Sequence, residues 1–455
     1  MPAGSNPSGG VLSAVADAAR RPRPVWRSRR AYVLATIAGI VGLGNLWRFP
    51  YMAGRHGGGD FLVAYIVSVL VIAVPLASLE SAAGSLTRRS PVGAYRRAAS
   101  RAGTAIGWSV IGLTAAILSY YLVITGWTLG YFLDSLRGDP RLFVDFVAGM
   151  GSLWLFLAVG ALVFVVLVRG VAIIEKASLF LVPVLVVMVV GLAVFAQTLD
   201  GAAESRSFLL SPTADGLFDT ATWRAAAGQA FYSVGVGQGF LIAYGSYVPA
   251  GANLIRSTTV VALTNALVSI VSAAMVFGVV FAFDISPTAG AELSFTAFPR
   301  VFGEIAGGDA LAVGFFALLF VAGFTSCLGM AVVVMSAVRD ETRMRTSRSA
   351  ALTVGTVVAA GIPSALSFTD VGFDIGGQPF LDRVDQFTGS GVVVVLGLVG
   401  TAVLARGLPR RALAAAFSAD TIRVGRWSIG PRTLIRWATV LPLVAAMAYG
   451  LGRAF

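Results

Sequence analysis

The sequence is short of the groups that catalysis in water relies on. It has one cysteine, Cys327, and one histidine, His56, in 455 residues. A lone cysteine closes no intrachain disulfide, and neither a CxxC nor a His/Cys cluster is present to take a metal. A lone histidine without those partners builds no catalytic triad and no zinc site. Charge is scarce as well. Asp, Glu, Lys and Arg make up 12% of the chain, about half the ~25% usual in soluble domains. A soluble protein of this length would need far more polar surface. Enzyme chemistry, disorder and fibrous structure are therefore excluded or poorly supported, and no organic cofactor is expected.

What the sequence does have is apolar length. Hydrophobic residues are 57% of the chain and mean hydropathy is +0.83. Stretches able to cross ~30 Å of hydrocarbon as helices recur near 31–54, 60–84, 105–133, 149–169, 173–197, 225–248, 255–283, 309–338, 349–366, 386–406 and 432–453. The expectation is an all-α polytopic membrane protein of eleven spans. Residues 1–30 show no apolar run of the signal-peptide kind and end in RRPRPVWRSRR, so they read as a cytoplasmic tail.

The net charge of +12 looks at first like a nucleic-acid signal. Its distribution says otherwise. Arg20 to Arg30, Arg88 to Arg101, Arg169 and Lys176, Arg256, Arg339 to Arg348, and Arg406 to Arg432 all fall on one side of an eleven-span chain. The alternate loops, 134–145, 200–219, 284–304 and 370–385, are acidic or mixed. Basic loops face the cytoplasm. The N-terminus is then cytoplasmic, the C-terminus extracellular, residues 407–431 a cytoplasmic loop and 432–455 the eleventh span. No nucleic-acid partner is needed; the bilayer is the expected surroundings, in the cell membrane.

Spans 1 and 6 share an internal motif. Val41-Gly42-Leu43-Gly44-Asn45 in the first matches Val234-Gly235-Val236-Gly237-Gln238 in the second. Five spans separate the two copies, so they run in opposite directions, the mark of an inverted repeat. Each glycine costs a helix about 1 kcal/mol, and paired glycines beside a polar residue invite unwinding. Unwound backbone is tolerated at membrane depth only where it lines a cavity or is held by protein. One such motif reads as close packing; two in corresponding positions of opposed halves read as a binding site. Asn265 with Ser269, and Gln229 with Ser233, repeat a four-residue spacing that puts each pair on one helix face. Thr325-Ser326 and Tyr120-Tyr121 add polar groups, though hydroxyls often bond their own helix. Buried amides such as Asn265 and Gln229 need several partners.

The run GLGNLWRFPYMAGRHGGGDF (42–61) resembles the first signature of the neurotransmitter:sodium symporter family, whose fold is that of the bacterial leucine transporter. That fold is the reference example of inverted repeats with broken helices at the midplane. The resemblance continues through SYYLVITGWTLGYF (119–132), GQAFYSVGVGQGFLIAYGSY (228–247), LTN (263–265), VAGFTSCLG (321–329) and LDRVDQF (381–387), covering about 31–406. It implies a leucine-transporter-like core of two inverted five-helix repeats, about 31–197 and 225–406, plus an eleventh helix. It also implies a sodium-coupled symporter of a neutral amino acid working by alternating access.

Carried over residue by residue, the resemblance implies one sodium site from the Ile40 carbonyl, Asn45, Ser233, Asn265 and the substrate carboxylate. A second uses the carbonyls of Ala38, Val41 and Ala322 with Thr325 and Ser326. All are hard oxygen ligands suited to a small cation. The substrate would meet the amides of Leu43 and Gly44, the Tyr121 hydroxyl and a pocket of Ile40, Ile117, Tyr232, Ser233, Gly235, Gln238, Ser326 and Met330. Monoamine carriers have an aspartate at the position of Gly42; glycine there implies a substrate with its own carboxylate. Tyr65, Gln229, Ser233, Asn265 and Ser269 make the chloride-type set. No carboxylate lies mid-span in spans 1, 3, 6, 7 or 8, and an anion would offset the charge of two sodium ions in a low dielectric. The outer gate is expected from Arg48 and Asp385 with Tyr121 and Tyr232, paired directly or through water. The inner gate is expected from Arg23, Trp26, Ser246, Tyr247 and Asp340. Glu80, an intramembrane acid, is expected to hold the broken backbone of span 6.

Two other readings stay open on the residues alone. One is a proton-coupled transporter with Glu80 as relay. The other is a membrane receptor that keeps the site for sensing. A channel lacks a selectivity-filter repeat. His56 reads as an outer-loop residue without a role, and Cys327 as small packing.

Overall fold

A computed structural model describes residues 25–138, 141–169, 171–249, 252–288, 295, 298–299, 302–303, 307–409, 411–413, 422–424 and 427–429. The expected tail up to residue 24 and the eleventh span at 432–453 lie outside the described residues.

The first span is two helices. α1 (Arg29–Ile40) starts on Ser28, whose hydroxyl accepts from Ala31 N, and stops at Val41 in extended conformation. α2 (Gly44–Arg55) follows at an angle of 51°, opening with a π-helical turn. α3 (Gly59–Thr87) and α4 (Pro91–Arg137) come next, then α5 (Gly151–Arg169) and α6 (Val171–Ala196). The short α7 (Ala202–Leu210) leads toward the second half. There the sixth span again divides, into α8 (Thr220–Val234), capped by the Asp219 carboxylate, and α9 (Phe240–Gly245). α10 (Leu254–Ala282), α11 (Gly308–Thr342), α12 (Thr346–Leu366) and α13 (Phe380–Gly407) complete the core. Among the described residues seven helices are long and apolar enough to cross a membrane, and the bent pair α1–α2 makes an eighth.

Two stretches expected as loop are ordered otherwise. The basic segment 88–101 is mostly helix. Ser90 is extended and Pro91 sits in the first turn, where its missing N–H costs nothing. Val92, Ala94 and Tyr95 are buried while Arg96, Arg97 and Arg101 are exposed. Burial of that apolar face on the core outweighs the loop-like charge. The break comes later, at Ala99 and Ser100, where Ser100 has a φ of 46°. In the expected loop 407–431, Ile422–Val424 (β1) and Trp427–Ile429 (β2) pair antiparallel, with Ile422 opposite Ile429.

Small residues fix the inner half of the sixth span. A Cβ at Gly84 of α3 would overlap the Ile242 carbonyl of α9, and one at Gly245 of α9 would lie 2.5 Å from the Ser81 carbonyl. α9 therefore rides backbone-to-backbone on α3. Close approach of this kind is the usual means of helix association in lipid.

Candidate functional site

The two helix breaks face one another in the core. At the first, the Gly42 and Leu43 amides leave the α-helical ladder and go to side chains, and a side chain also reaches the Gly44 carbonyl, which keeps its bond from Phe49 N. Gly42 N donates to Asn45 Oδ1 at 3.1 Å, Leu43 N donates to the Tyr121 hydroxyl at 2.7 Å, and the Gly44 carbonyl accepts from Gln229 Nε2 at 2.8 Å. At the second break the backbone itself carries the turn. Gly235, Gly237 and Gly239 have φ of 80°, 79° and 69°, a region costly for any residue with a Cβ. Gly237 N donates to Glu80 Oε1 at 3.0 Å, and the Gln238 carbonyl accepts from Thr114 Oγ1 at 2.6 Å.

Between the breaks lies a buried cavity of about 30 Å³, room for about one water. It is lined by Gly39, Ile40, Gly44, Ile117, Tyr121, Tyr232, Ser233, Gly235, Gln238, Phe240, Ser326 and Met330. Ten of the expected pocket residues are in that wall; Leu43 is not. Gly39 and Phe240 were missed, because neither falls in a motif and nothing local ties them to each other. No charged side chain lines the cavity. A Cβ at Gly42 would overlap Ser326 Oγ and lie 2.6 Å from the Tyr121 hydroxyl oxygen, so an aspartate has no space here. A second small cavity touches Ala38, Val41 and Thr325, three of the five expected second-sodium residues, beside Ile37, Leu185, Val186 and Val321. Ser326 faces the first cavity instead, and the Ala322 carbonyl lies 3.0 Å from the Cβ position of Gly42.

A polar knot sits behind the first break. Asn45 Nδ2 donates to Asn265 Oδ1 at 2.8 Å and to Ser269 Oγ at 2.7 Å. Asn265 Nδ2 donates to Ser233 Oγ at 3.1 Å, and the Tyr65 hydroxyl lies 3.1 Å from Ser233 Oγ and 3.4 Å from Ser269 Oγ. All five side chains are fully or almost fully buried. Tyr65, Ser233, Asn265 and Ser269 thus converge as neutral hydrogen-bonding groups, with the Ser269 hydroxyl donating to the Asn265 carbonyl. Gln229 does not join them. Its amide is held between the Gly44 carbonyl and the Arg48 guanidinium, which offers a charge-assisted partner that hydroxyls cannot match.

Toward the end that the charge pattern makes extracellular, Arg48 Nε donates to Asp385 Oδ1 at 3.3 Å, a direct ion pair with both side chains buried. The Arg48 guanidinium lies 4.6 Å from the centre of the Tyr232 ring. The Tyr51 and Tyr120 hydroxyls each donate to Asp385 at 2.8 Å, and Arg48 reaches Ser390 Oγ at 2.7 Å. Buried charges need this degree of satisfaction. Tyr121, expected here, is absent from the cluster because its hydroxyl is committed to Leu43 N; its neighbour Tyr120 supplies the contact. Adjacent helical residues point about 100° apart, so the Tyr-Tyr pair serves two places. Beyond the spans, burial lowers the His56 imidazole pKa from 6.5, with Asp219 pulling it up and Arg55 pushing it down. The imidazole stacks near Phe61.

At the opposite end Trp26 N donates to the Tyr247 carbonyl at 2.9 Å and its indole Nε1 to the Tyr244 carbonyl at 3.3 Å. The Trp26 ring lies 5.7 Å from Tyr244 and 6.0 Å from Tyr247. Ser246 Oγ bonds Ala243 O, and Arg88 bonds Ser246 O. Asp340 Oδ2 accepts from Ser90 N at 2.8 Å. Arg23 lies outside the described residues. The cavity is therefore covered on both sides.

The comparisons with known proteins agree on this architecture. An uncharacterized sodium-dependent transporter of Haemophilus influenzae is 28% identical over 412 residues, covering 84% of this chain and 89% of its own. The sodium-dependent transporter YhdH of Bacillus subtilis is 30% identical over 394 residues, 82% and 86% of the two chains. The crystal structure of MhsT in complex with L-phenylalanine superposes with a TM-score of 0.85 at 28% identity, over 94% of this chain and all of that one. The two share the leucine-transporter-like fold. Residues 23–140 and 150–442 match the family description itself, and the chain belongs to the sodium:neurotransmitter symporter family, a family of membrane transporters rather than enzymes.

Proposed function

We propose that the protein is a sodium-coupled symporter of a neutral amino acid, with residues 31–406 as the transport core, in the cell membrane with a cytoplasmic N-terminus and an extracellular C-terminus. One observation carries the reading: the closed cavity lies at two opposed helix breaks and no charged side chain lines it. The charges of the substrate then fall to backbone groups at the breaks, the Leu43 amide exchanging the Tyr121 oxygen for the carboxylate. Human sodium-dependent neutral amino acid transporter SLC6A17, 30% identical over 56% of this chain and 41% of its own, and the phenylalanine in MhsT support the substrate class.

The amides of Leu43 and Gly44 and the Tyr121 hydroxyl receive the substrate carboxylate. That carboxylate completes a sodium site with the Ile40 carbonyl, Asn45, Ser233 and Asn265. Sodium and substrate then favour each other's binding by equal free energies, which is the coupling. Ala38, Val41, Ala322 and Thr325 hold a second sodium that ties α1 to α11; Ser326 would have to turn from the first cavity to take part. Tyr65, Ser233, Asn265 and Ser269 hold chloride, which offsets the buried positive charge; Gln229 would have to leave Arg48 to take part. With the outer cluster closed, release of the second sodium frees Trp26 and the inner aromatic cover, and the cavity opens to the cytoplasm. Inward movement of each sodium charge adds about 2.3 kcal/mol per 100 mV of membrane potential.

Uptake of labelled amino acids into proteoliposomes under an inward sodium gradient tests this, with external chloride exchanged for gluconate. Sodium-driven uptake that collapses in gluconate is expected. Uptake indifferent to chloride would remove the chloride assignment and keep the symporter. Uptake driven by a proton gradient alone would replace sodium by the relay reading of Glu80, whose Oε2 has no hydrogen-bond partner among the described residues.

A further inference from the structure

We propose that the Phe240 ring is the floor of the cavity and sets the largest substrate side chain the protein accepts, an inference that rests on the amino-acid reading above. Phe240 is the first residue of α9 and lines the cavity. Its ring is clamped between two helices at the level of their backbones. A Cβ at Gly39 of α1 would overlap the ring at Cζ and lie 2.8 Å from Cε2; a Cβ at Gly329 of α11 would also lie 2.8 Å from Cε2. Neither glycine has a positive φ. Backbone conformation therefore does not call for glycine at either place, whereas the room taken by the ring does.

The far side of the ring is closed too. It stacks on Tyr244 with centroids 4.1 Å apart and planes at 22°, and Tyr244 in turn lies against Trp26 at 5.7 Å. The cavity is thus covered by Tyr232 and Arg48 above and by a stack of three rings below. The floor cannot drop without separating α1 from α11 or unseating Trp26. Depth is the dimension along which amino acids of increasing size differ. A ring fixed in this way limits depth while leaving the carboxylate end of the cavity untouched.

Thermal stabilisation of the purified full chain in sodium chloride, read with alanine, valine, leucine, phenylalanine and tryptophan, tests the size limit. Phe240→Ala is expected to move the preference toward larger side chains, by about tenfold or more between neighbours in the series, the scale a single hydrophobic pocket achieves. Gly329→Ala, which pushes the ring into the cavity, is expected to move it toward smaller ones. A purely structural role would weaken all five ligands alike; an unchanged order in both variants overturns the proposal. The clamp is read separately, without ligand, from thermal midpoints. Gly39→Ala is expected to lower the midpoint in the wild-type background and to be neutral in the Phe240→Ala background, where the space is free. Additive effects would show that the glycine and the ring do not compete, and would overturn the clamp. A wild type stabilised by none of the five amino acids would instead remove the amino-acid reading and the size limit with it.

Discussion

The two breaks are made in different ways. At the second, three glycines hold a left-handed conformation that a residue with a Cβ adopts only at a cost, and Glu80 and Thr114 clasp the turn. At the first, no residue has a positive φ; Asn45 and Tyr121 hold the Gly42 and Leu43 amides in place of helix carbonyls, and Gln229 adds a second donor to the Gly44 carbonyl beside Phe49 N. The second break is a property of the backbone. The first is a property of its neighbours, and two of those neighbours, Tyr121 on α4 and Gln229 on α8, belong to other helices. A break held from outside responds when its holders move. Gln229 is also bonded to Arg48 of the outer cluster, so opening that cluster and loosening the Gly44 carbonyl are linked.

This contrast can be attacked directly. Gly237→Ala should have the largest effect. The new Cβ would stand in a left-handed conformation at φ 79° and 2.6 Å from the Val393 carbonyl, at a combined cost of about 2–5 kcal/mol. Loss of folded protein in a fluorescence-detected size-exclusion assay is the expected result; a stable, active variant would mean that the second break is held by its partners after all. Tyr121→Phe should be milder, about 1–3 kcal/mol for an orphaned Leu43 amide. Folding should survive, and sodium-driven uptake should fall at least as steeply as substrate binding. An unaffected uptake rate would detach the first break from its outside support. Glu80→Gln should be smaller again, since the amide oxygen still accepts from Gly237 N. Retained uptake is expected, whereas abolition with normal folding would favour proton relay over a backbone clasp. The smallest effect belongs outside the spans. Burial lowers the His56 pKa in the folded state, so protonation favours the unfolded chain and stability drops as pH falls through about 6.5. His56→Gln should remove that part of the decline between pH 7 and pH 5 in thermal melts; an identical slope would place the titration elsewhere.

The glycine motifs mark both breaks in the sequence, the second because its left-handed turn calls for glycine and the first because glycines weaken a helix that neighbours then hold open. Asn265 and Ser269 could be placed together by their four-residue spacing, whereas Asn45 is joined to Asn265 only by the family resemblance. What escaped was every contact whose partners are remote and individually unremarkable. Phe240 needs Gly39 and Gly329, and no one of the three announces the others. Tyr51 and Ser390 reach the outer cluster only because α2 and α13 meet there. Tyr120 and Tyr121 are adjacent in sequence and could be separated only by knowing which way α4 is turned. The helical face of the segment 91–98 was masked by arginines, which predict where a segment lies relative to the membrane better than whether it is ordered.

One further consequence follows from the length of α11. At 35 residues it is about 52 Å long, well beyond the ~30 Å of hydrocarbon it crosses. Asp309 sits in its first turn and Arg339 in its last, about 45 Å apart along the axis. A shift of several ångströms along the membrane normal therefore leaves both charges outside the hydrocarbon. The ends of α11 thus set no exact depth, and the level of Thr325, Ser326 and Gly329 is fixed by the packing of α11 against α4 and α1.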